Sequence, residues 1–140
     1  MAASLIADSS FLVALLSSRE RDHDWADAVV DRFPPPWIGC EAVLAEAFYL
    51  LGEGGRPALA ALLARGAIVT GFSLGEHLAR VLNLMDKYAN VPMSFADACM
   101  VRMSETLADP VVLTLDADFG VYRRHGRQVI PFVSPDHPQP

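Results

Sequence analysis

Val111-Val112-Leu113-Thr114-Leu115-Asp116-Ala117-Asp118 decides the fold of this chain. Five β-branched or leucine side chains in a row follow the turn pair Asp109-Pro110, and an acid ends the run. An apolar run this short, without alternation, predicts a strand buried on both faces. Ser4-Leu5-Ile6-Ala7-Asp8 repeats the pattern near the N-terminus. Strands covered on both sides belong to parallel sheets flanked by helices. In such sheets ligands bind beyond the carboxyl ends of the strands. Asp8 and Asp116 both stand at such an end.

Working outward, helical spacing predicts helices over 9–18, 25–33, 41–51, 57–65, 73–88 and 94–107, with a short one over 118–124. Pro34-Pro35-Pro36 ends the second, and Gly52, Gly54 and Gly55 close the third. Ser73 with Glu76 and Ser94 with Asp97 both fit the capping-box pattern. Shorter β-branched or apolar runs predict further strands over 37–40, 67–72 and 128–133. The expected fold is α/β, one domain over 1–134 with a mainly parallel central sheet and helices on both faces. Residues 135–140 hold three prolines and read as a flexible tail.

Composition narrows the function. With 52% hydrophobic and 20% charged residues in 140, the chain is a folded domain and not a disordered one. That much apolar surface in a small domain predicts a homodimer, with Phe48, Tyr49 and Leu50 or the helix of Leu59 and Leu63 as contacts. Apolar runs are broken by Asp8, Glu46 and Gly52, so neither a membrane span nor a signal peptide is expected, and the location reads as cytoplasmic. Cys40 and Cys99 are too few for a disulfide framework or a zinc site and read as reduced core residues. The net charge of −6, from 17 acidic against 11 basic residues, argues against non-specific coating of nucleic acid. It leaves room for an enzyme whose acids gather at a metal.

Four acids have apolar neighbours: Asp8, Glu46 in Val43-Leu44-Ala45-Glu46-Ala47-Phe48, Asp97 in Phe95-Ala96-Asp97-Ala98, and Asp116, with Asp118 close behind. A buried unpaired carboxylate costs several kcal/mol or takes up a proton. No basic residue lies within four positions of Asp8, Glu46 or Asp97. A shared Mg²⁺ or Mn²⁺ would relieve them, since hard divalent ions select carboxylate oxygens and water. Plain structural readings stand beside this one: Asp8 as a helix cap, Asp97 as the acid of a capping box, Asp118 as the cap of a following turn. Glu46 falls mid-helix, where no cap is needed. The histidines have no ligand spacing, and neither a nucleophile elbow nor a phosphate-binding glycine loop is present. Arg123-Arg124-His125-Gly126-Arg127 is the one basic cluster and a candidate for holding a phosphate backbone beside the metal.

These residues together resemble the PIN-domain family, most closely its bacterial VapC-like members. Ile6-Ala7-Asp8-Ser9-Ser10-Phe11-Leu12 looks like the family's first strand and first acid, and Val43-Leu44-Ala45-Glu46 like its helical glutamate. Met93-Ser94-Phe95-Ala96-Asp97-Ala98 looks like its third acid, and Leu113-Thr114-Leu115-Asp116-Ala117-Asp118-Phe119 like its last acidic strand end. The resemblance implies a Mg²⁺- or Mn²⁺-dependent endoribonuclease. Asp8, Glu46, Asp97 and Asp116 would hold the ion, with Asp118 auxiliary and Ser10 and Thr114 as polar supports. Glu41 is a further acid on the Glu46 helix, expected to be solvated. The resemblance also implies an RNA substrate and, for a toxin of a toxin–antitoxin pair, a small antitoxin partner. A catalytically silent scaffold of the same fold is the alternative. A receiver-type phosphotransfer protein would want a late lysine, yet Lys87 is the only lysine; a dehalogenase-type enzyme would want an Asp-x-Asp after the first strand, where Asp8-Ser9-Ser10 stands.

Overall fold

The computed structural model describes residues 2–140. Five strands form one sheet in the order β3-β2-β1-β4-β7: β1 (Ser4–Ala7), β2 (Trp37–Gly39), β3 (Ile68–Thr70), β4 (Pro110–Leu113) and β7 (Phe132–Val133). Every pairing in this sheet is parallel. Ile6 lies between Ile38 and Val112, and β1 is the centre of the sheet. The chain first winds outward from β1 to β2 to β3, then returns to β4 on the other side. Right-handed crossovers therefore place α1 (Ser9–Leu16), α2 (His23–Arg32) and α3 (Glu41–Ala64) on one face, and α4 (Leu74–Lys87) and α5 (Phe95–Thr106) on the other. The packing agrees, with α1 against α2 and α3, and α4 against α5. Winding reverses between β1 and β4, which opens a crevice at their carboxyl ends.

The β4 side chains are all buried, as the unbroken apolar run requires. Phe11, fully buried, meets Trp37 edge-on at 5.2 Å and Trp25 at 6.0 Å. Trp37 buries its ring while its Nε1–H donates to the Phe33 carbonyl at 2.9 Å, so no polar group is orphaned. Among the described residues no helix is long and apolar enough to cross a membrane.

Several expectations need correcting. The two helices expected over 41–51 and 57–65 do meet at a break at Gly52 within the span Glu41–Ala64, but the second begins before residue 57 and holds Pro57 inside it. At Gly52 φ is 67° and ψ −170°, a region open essentially to glycine alone. A Cβ at Gly52 would touch nothing within 4 Å, so the cost of a side chain there is purely one of backbone. Gly52→Ala should accordingly lower stability by about 1–3 kcal/mol. Gly54→Ala, in helical backbone with equally open space, should raise it by about 0.5–1 kcal/mol. Thermal melts of the two variants should move in opposite directions.

Ser73 occupies the N-cap of α4, but its side chain makes no capping bond, so the expected Ser73–Glu76 box is not formed. The last strand is two strands. Gln128–Val129 (β6) pairs antiparallel with Arg123–Arg124 (β5) in a separate hairpin, and only Phe132–Val133 joins the main sheet. Pro131 between them has no N–H for a ladder, although its carbonyl still accepts from Val112 at 2.9 Å. The helix expected over 118–124 shrinks to a 3-10 turn, Ala117–Gly120, before β5 begins. The tail is tied back: Ser134 and His137 exchange backbone hydrogen bonds, His137 stacks on Phe132 at 4.2 Å, and Arg32 donates to the Pro138 carbonyl. Leu59 is fully buried in the core of this chain and Leu62 nearly so, whereas Tyr49 is 85% and Leu50 56% exposed. The expected contact through the Leu59 helix is thereby excluded for its inward face, and Phe48 also packs on the core.

Candidate active site

The crevice between β1 and β4 is lined by acids that the fold brings from four elements. Asp8 follows β1 and is the most buried of them, at 5% exposure. Its Oδ2 accepts from Thr114 Oγ1 at 2.6 Å and from Ser10 Oγ at 2.9 Å. Each hydroxyl is itself fixed by the chain beyond β4. Ser10 Oγ accepts from the Leu115 N–H at 2.9 Å, and Thr114 Oγ1 from the Asp116 N–H at 2.9 Å. Two side chains thus lock the end of β1 to the end of β4 and aim the Asp8 carboxylate. Burial still pushes the Asp8 carboxyl above the ordinary range, against the hydrogen bonds of Thr114 and Ser10, and the Glu46 charge adds to the rise.

Asp97 stands at the third position of α5. The capping box is real: the Asp97 N–H donates to Ser94 Oγ at 3.0 Å, and the Ser94 N–H to Asp97 Oδ2 at 3.2 Å. The structural reading of Asp97 is therefore correct, but it does not exhaust the residue. Tyr122, fully buried, also donates its hydroxyl to Asp97 Oδ2, at 3.2 Å. Burial raises the Asp97 carboxyl, and the Asp8 charge raises it further. Asp116 caps the 3-10 turn, its Oδ1 accepting from the Asp118 N–H at 2.9 Å. The cap is thus Asp116, where sequence suggested Asp118. Asp116 too is raised by burial, then by the charges of Asp97 and Asp118. The Tyr122 hydroxyl is driven far above its usual value by burial and by Asp97, Asp116 and Asp118, so it remains a donor.

Glu46 differs from its expected setting. It is exposed, on the face of α3 turned toward solvent, and not enclosed by the apolar residues that flank it in sequence. Ser9 Oγ donates to Glu46 Oε1 and lies 3.4 Å from Asp8 Oδ1, which bridges α1 and α3 at the mouth of the crevice. Glu41, at the start of the same helix, is exposed. Ser9 and Tyr122 were not legible as site residues. Ser9 adjoins Asp8 in sequence, and that adjacency is the only signal it gave; Tyr122 gave none.

The acids repel one another through the chain Glu46, Asp8, Asp97, Asp116, Asp118. None of them has a salt-bridge partner among the described residues. Among those residues, no three His, Cys, Asp or Glu side chains are drawn together as a ready chelate. The donor set nevertheless fits a hard divalent ion. It offers carboxylate oxygens held by hydroxyls and backbone N–H groups, with uncompensated charge, and Mg²⁺ is commonly held by one or two carboxylates with the rest of its shell water.

The basic cluster is mostly committed to the fold. Arg124 Nη2 donates to the Ser104 and Leu107 carbonyls at 2.6 and 3.4 Å, closing the C-terminus of α5. Arg123 Nη1 donates to the carbonyls of Gly120, Val121 and Tyr122. Arg127 is exposed on the hairpin.

The chain matches the family model described as PIN domain over residues 5–124. Among solved structures it is similar to Mycobacterium tuberculosis VapC20, described as a Sarcin-Ricin loop cleaving toxin. The identity is 21% and the TM-score 0.76, over 84% of this chain and 94% of that one. No curated protein gives a significant sequence match.

Proposed function

We propose, because this chain belongs to the PIN-domain family, that it is a VapC-like endoribonuclease dependent on Mg²⁺ or Mn²⁺. The observation that supports this most is the row of unpaired, mutually repelling carboxylates at the carboxyl ends of β1 and β4. Asp8, Glu46, Asp97 and Asp116 would hold the ion directly or through water, with Asp118 auxiliary. Ser10 and Thr114 hold Asp8 in place, and Tyr122 and Ser94 hold one oxygen of Asp97. A bound divalent ion supplies charge stabilisation at the phosphate and a more acidic water. The second oxygen of Asp97 is the natural acceptor for the proton of the attacking water. Arg127 is the guanidinium best placed to meet an RNA backbone; Arg123 and Arg124 contribute mainly by holding its hairpin. As a toxin of a toxin–antitoxin pair, the protein would act in the cytoplasm and be restrained by a small antitoxin. A homodimer would use the exposed Tyr49 and Leu50.

Incubation with single-stranded RNA tests the reading. Cleavage is expected with Mg²⁺ or Mn²⁺ and should stop with EDTA. Cleavage that survives exhaustive EDTA treatment refutes the metal. Intact RNA with both ions would leave the silent scaffold as the reading.

A further inference from the structure

The carboxyl edge of the sheet holds a second feature beside the crevice. The strands are parallel, so the residues after β2 and β3 emerge on the same edge as Asp8 after β1. Cys40 and Glu41 follow β2, and Phe72 follows β3. With Leu74, Phe95 and Cys99 they line a notch of about 70 Å³, open to solvent. Neighbouring strands lie about 4.8 Å apart, so the notch begins roughly one strand spacing from the end of β1 and ends about 10 Å from it. The Phe72 ring is already covered, stacked on His77 at 5.0 Å. Phe95, the first residue of α5, is 39% exposed and has no aromatic partner among the described residues. Glu41 is exposed, and its carboxylate has no salt-bridge partner among the described residues. The notch is continuous with the crevice: α5 carries both Phe95 and Asp97, and α3 both Glu41 and Glu46.

We propose that this notch binds one unstacked base of a single-stranded RNA, beside the phosphate in the crevice, and that the base it selects is guanine. The occupant rests on the ribonuclease reading; the choice of base rests on the notch itself. Single-stranded RNA offers bases that splay out and stack on aromatic side chains. Phe95 supplies a ring without an aromatic partner. The notch is too small for a whole nucleotide and admits the edge of one planar ring. The group that meets this edge is the Glu41 carboxylate, which when ionised only accepts hydrogen bonds. Guanine alone presents two N–H donors side by side on its Watson–Crick edge, at N1 and N2, and both can end on one carboxylate. Adenine and cytosine set a ring acceptor beside the amino donor. Uracil sets a carbonyl on each side of its N–H. Each of these would turn a lone pair toward a carboxylate oxygen. A guanine seated in the notch fixes which phosphate lies over the acids, so Glu41 and Phe95 act on the choice of bond and not on the metal.

Guanosine and inosine monophosphates, which differ only in the N2 amine, test the notch without metal or cleavage. Each is titrated in EDTA into the isotope-labelled full-length protein while its amide resonances are followed. Guanosine monophosphate should shift the amides of Glu41, Phe72 and Phe95. It should saturate at about tenfold lower concentration than inosine monophosphate, the effect of one hydrogen bond to a charged group. Glu41→Gln changes an exposed side chain and should bind the two nucleotides alike. Phe95→Ala should weaken both by about fivefold or more. Should that variant fail to fold, Phe95→Trp keeps a stacking ring and should keep the guanine preference. No shift at these amides, equal saturation by the two nucleotides, or a preference that survives Glu41→Gln would each overturn the proposal. Cleavage of a randomised RNA with Mg²⁺ or Mn²⁺ then separates it from the ribonuclease reading. Guanine at a fixed place beside the cut, lost in Glu41→Gln, supports both. Cuts without base preference overturn the notch and leave the ribonuclease. Nucleotide preference without cleavage keeps the notch and counts against the ribonuclease.

Discussion

Asp8→Asn should abolish measurable RNA cleavage while leaving the metal-free fold at least as stable as wild type. Asn keeps one oxygen to accept from Thr114 and Ser10, so the bonds that join β1 to β4 survive. What it removes is a buried negative charge. Burial has raised the Asp8 carboxyl above its ordinary 3.8. For an acid raised on folding, the favourable contribution is present at low pH and is lost as pH climbs through the folded value. At neutral pH the ionised side chain therefore works against the fold, and Asn should recover on the order of 1 kcal/mol. The gain should shrink toward pH 3, where wild-type Asp8 is itself neutral. Added Mg²⁺ should raise the melting temperature of wild type more than that of the variant, because a ligand stabilises only as far as it binds the native state. Activity should fall by at least the ~100-fold that even a supporting group at a metal site is worth. Melts with EDTA and with Mg²⁺, beside cleavage assays, separate this from a purely structural Asp8. A structural Asp8 would make the variant less stable without metal and leave its Mg²⁺ response intact. The same logic extends to Asp116→Asn, since Asn caps the turn at Asp118 as well as Asp does.

The parts of this fold that could be read in advance are those where local sequence and tertiary setting agree. The β1 and β4 strands, each apolar on both faces and each ending on Asp, place the crevice. Ser94 and Asp97 satisfy one another within four residues, so their capping box needs no distant partner. Other features depend on contacts remote in sequence. Apolar neighbours suggested burial for Glu46, but a helix places consecutive residues on different faces, and its side chain points to solvent beside Ser9. Arg123 and Arg124 read as a phosphate clamp because their chemistry suits one. The unfilled carbonyls of Ser104, Leu107 and the turn before β5 use the same donors. Val129 and Phe132 share one apolar run yet join different sheets, since Pro131 interrupts the ladder. Tyr122 reaches Asp97 from the far side of the 3-10 turn, which no spacing rule anticipates.

The largest loss of stability from a single substitution is expected at Glu105, outside the crevice. Its side chain is about 1% exposed. Arg80 holds it through Nε at 2.9 Å and Nη2 at 2.6 Å, Arg102 through Nη1 at 3.2 Å, and the His125 N–H at 2.7 Å. Four bonds from α4, α5 and the hairpin turn thus end on one carboxylate. Burial alone would raise its pKa; the bonds from Arg80, His125 and Arg102 outweigh burial and bring it to about 2. Glu105→Ala leaves the His125 N–H without an acceptor and two guanidiniums without their counter-charge. Removing one partner from a buried ion network costs about 3–5 kcal/mol. The lower end applies here, because both arginines are partly exposed and water screens them. Even about 3 kcal/mol is a large share of the 5–15 kcal/mol that holds a typical domain together. Glu105→Gln keeps the shape and some of the hydrogen bonds, so it should fall between Ala and wild type. The pH dependence gives an independent check. For an acid depressed on folding, stabilisation is present above the unfolded value near 4.5 and is lost as pH falls through about 2. The gap in melting temperature between wild type and Glu105→Gln should therefore be constant from pH 7 to 5 and close as the pH approaches 2. A gap that stays the same across that range would mean that the charge on Glu105 contributes nothing, and that the residue matters only for its shape. The arrangement also explains why the hairpin can carry the exposed Arg127 at a fixed position: Glu105 grips the turn at His125, whose left-handed backbone at φ 52° turns its N–H toward the carboxylate.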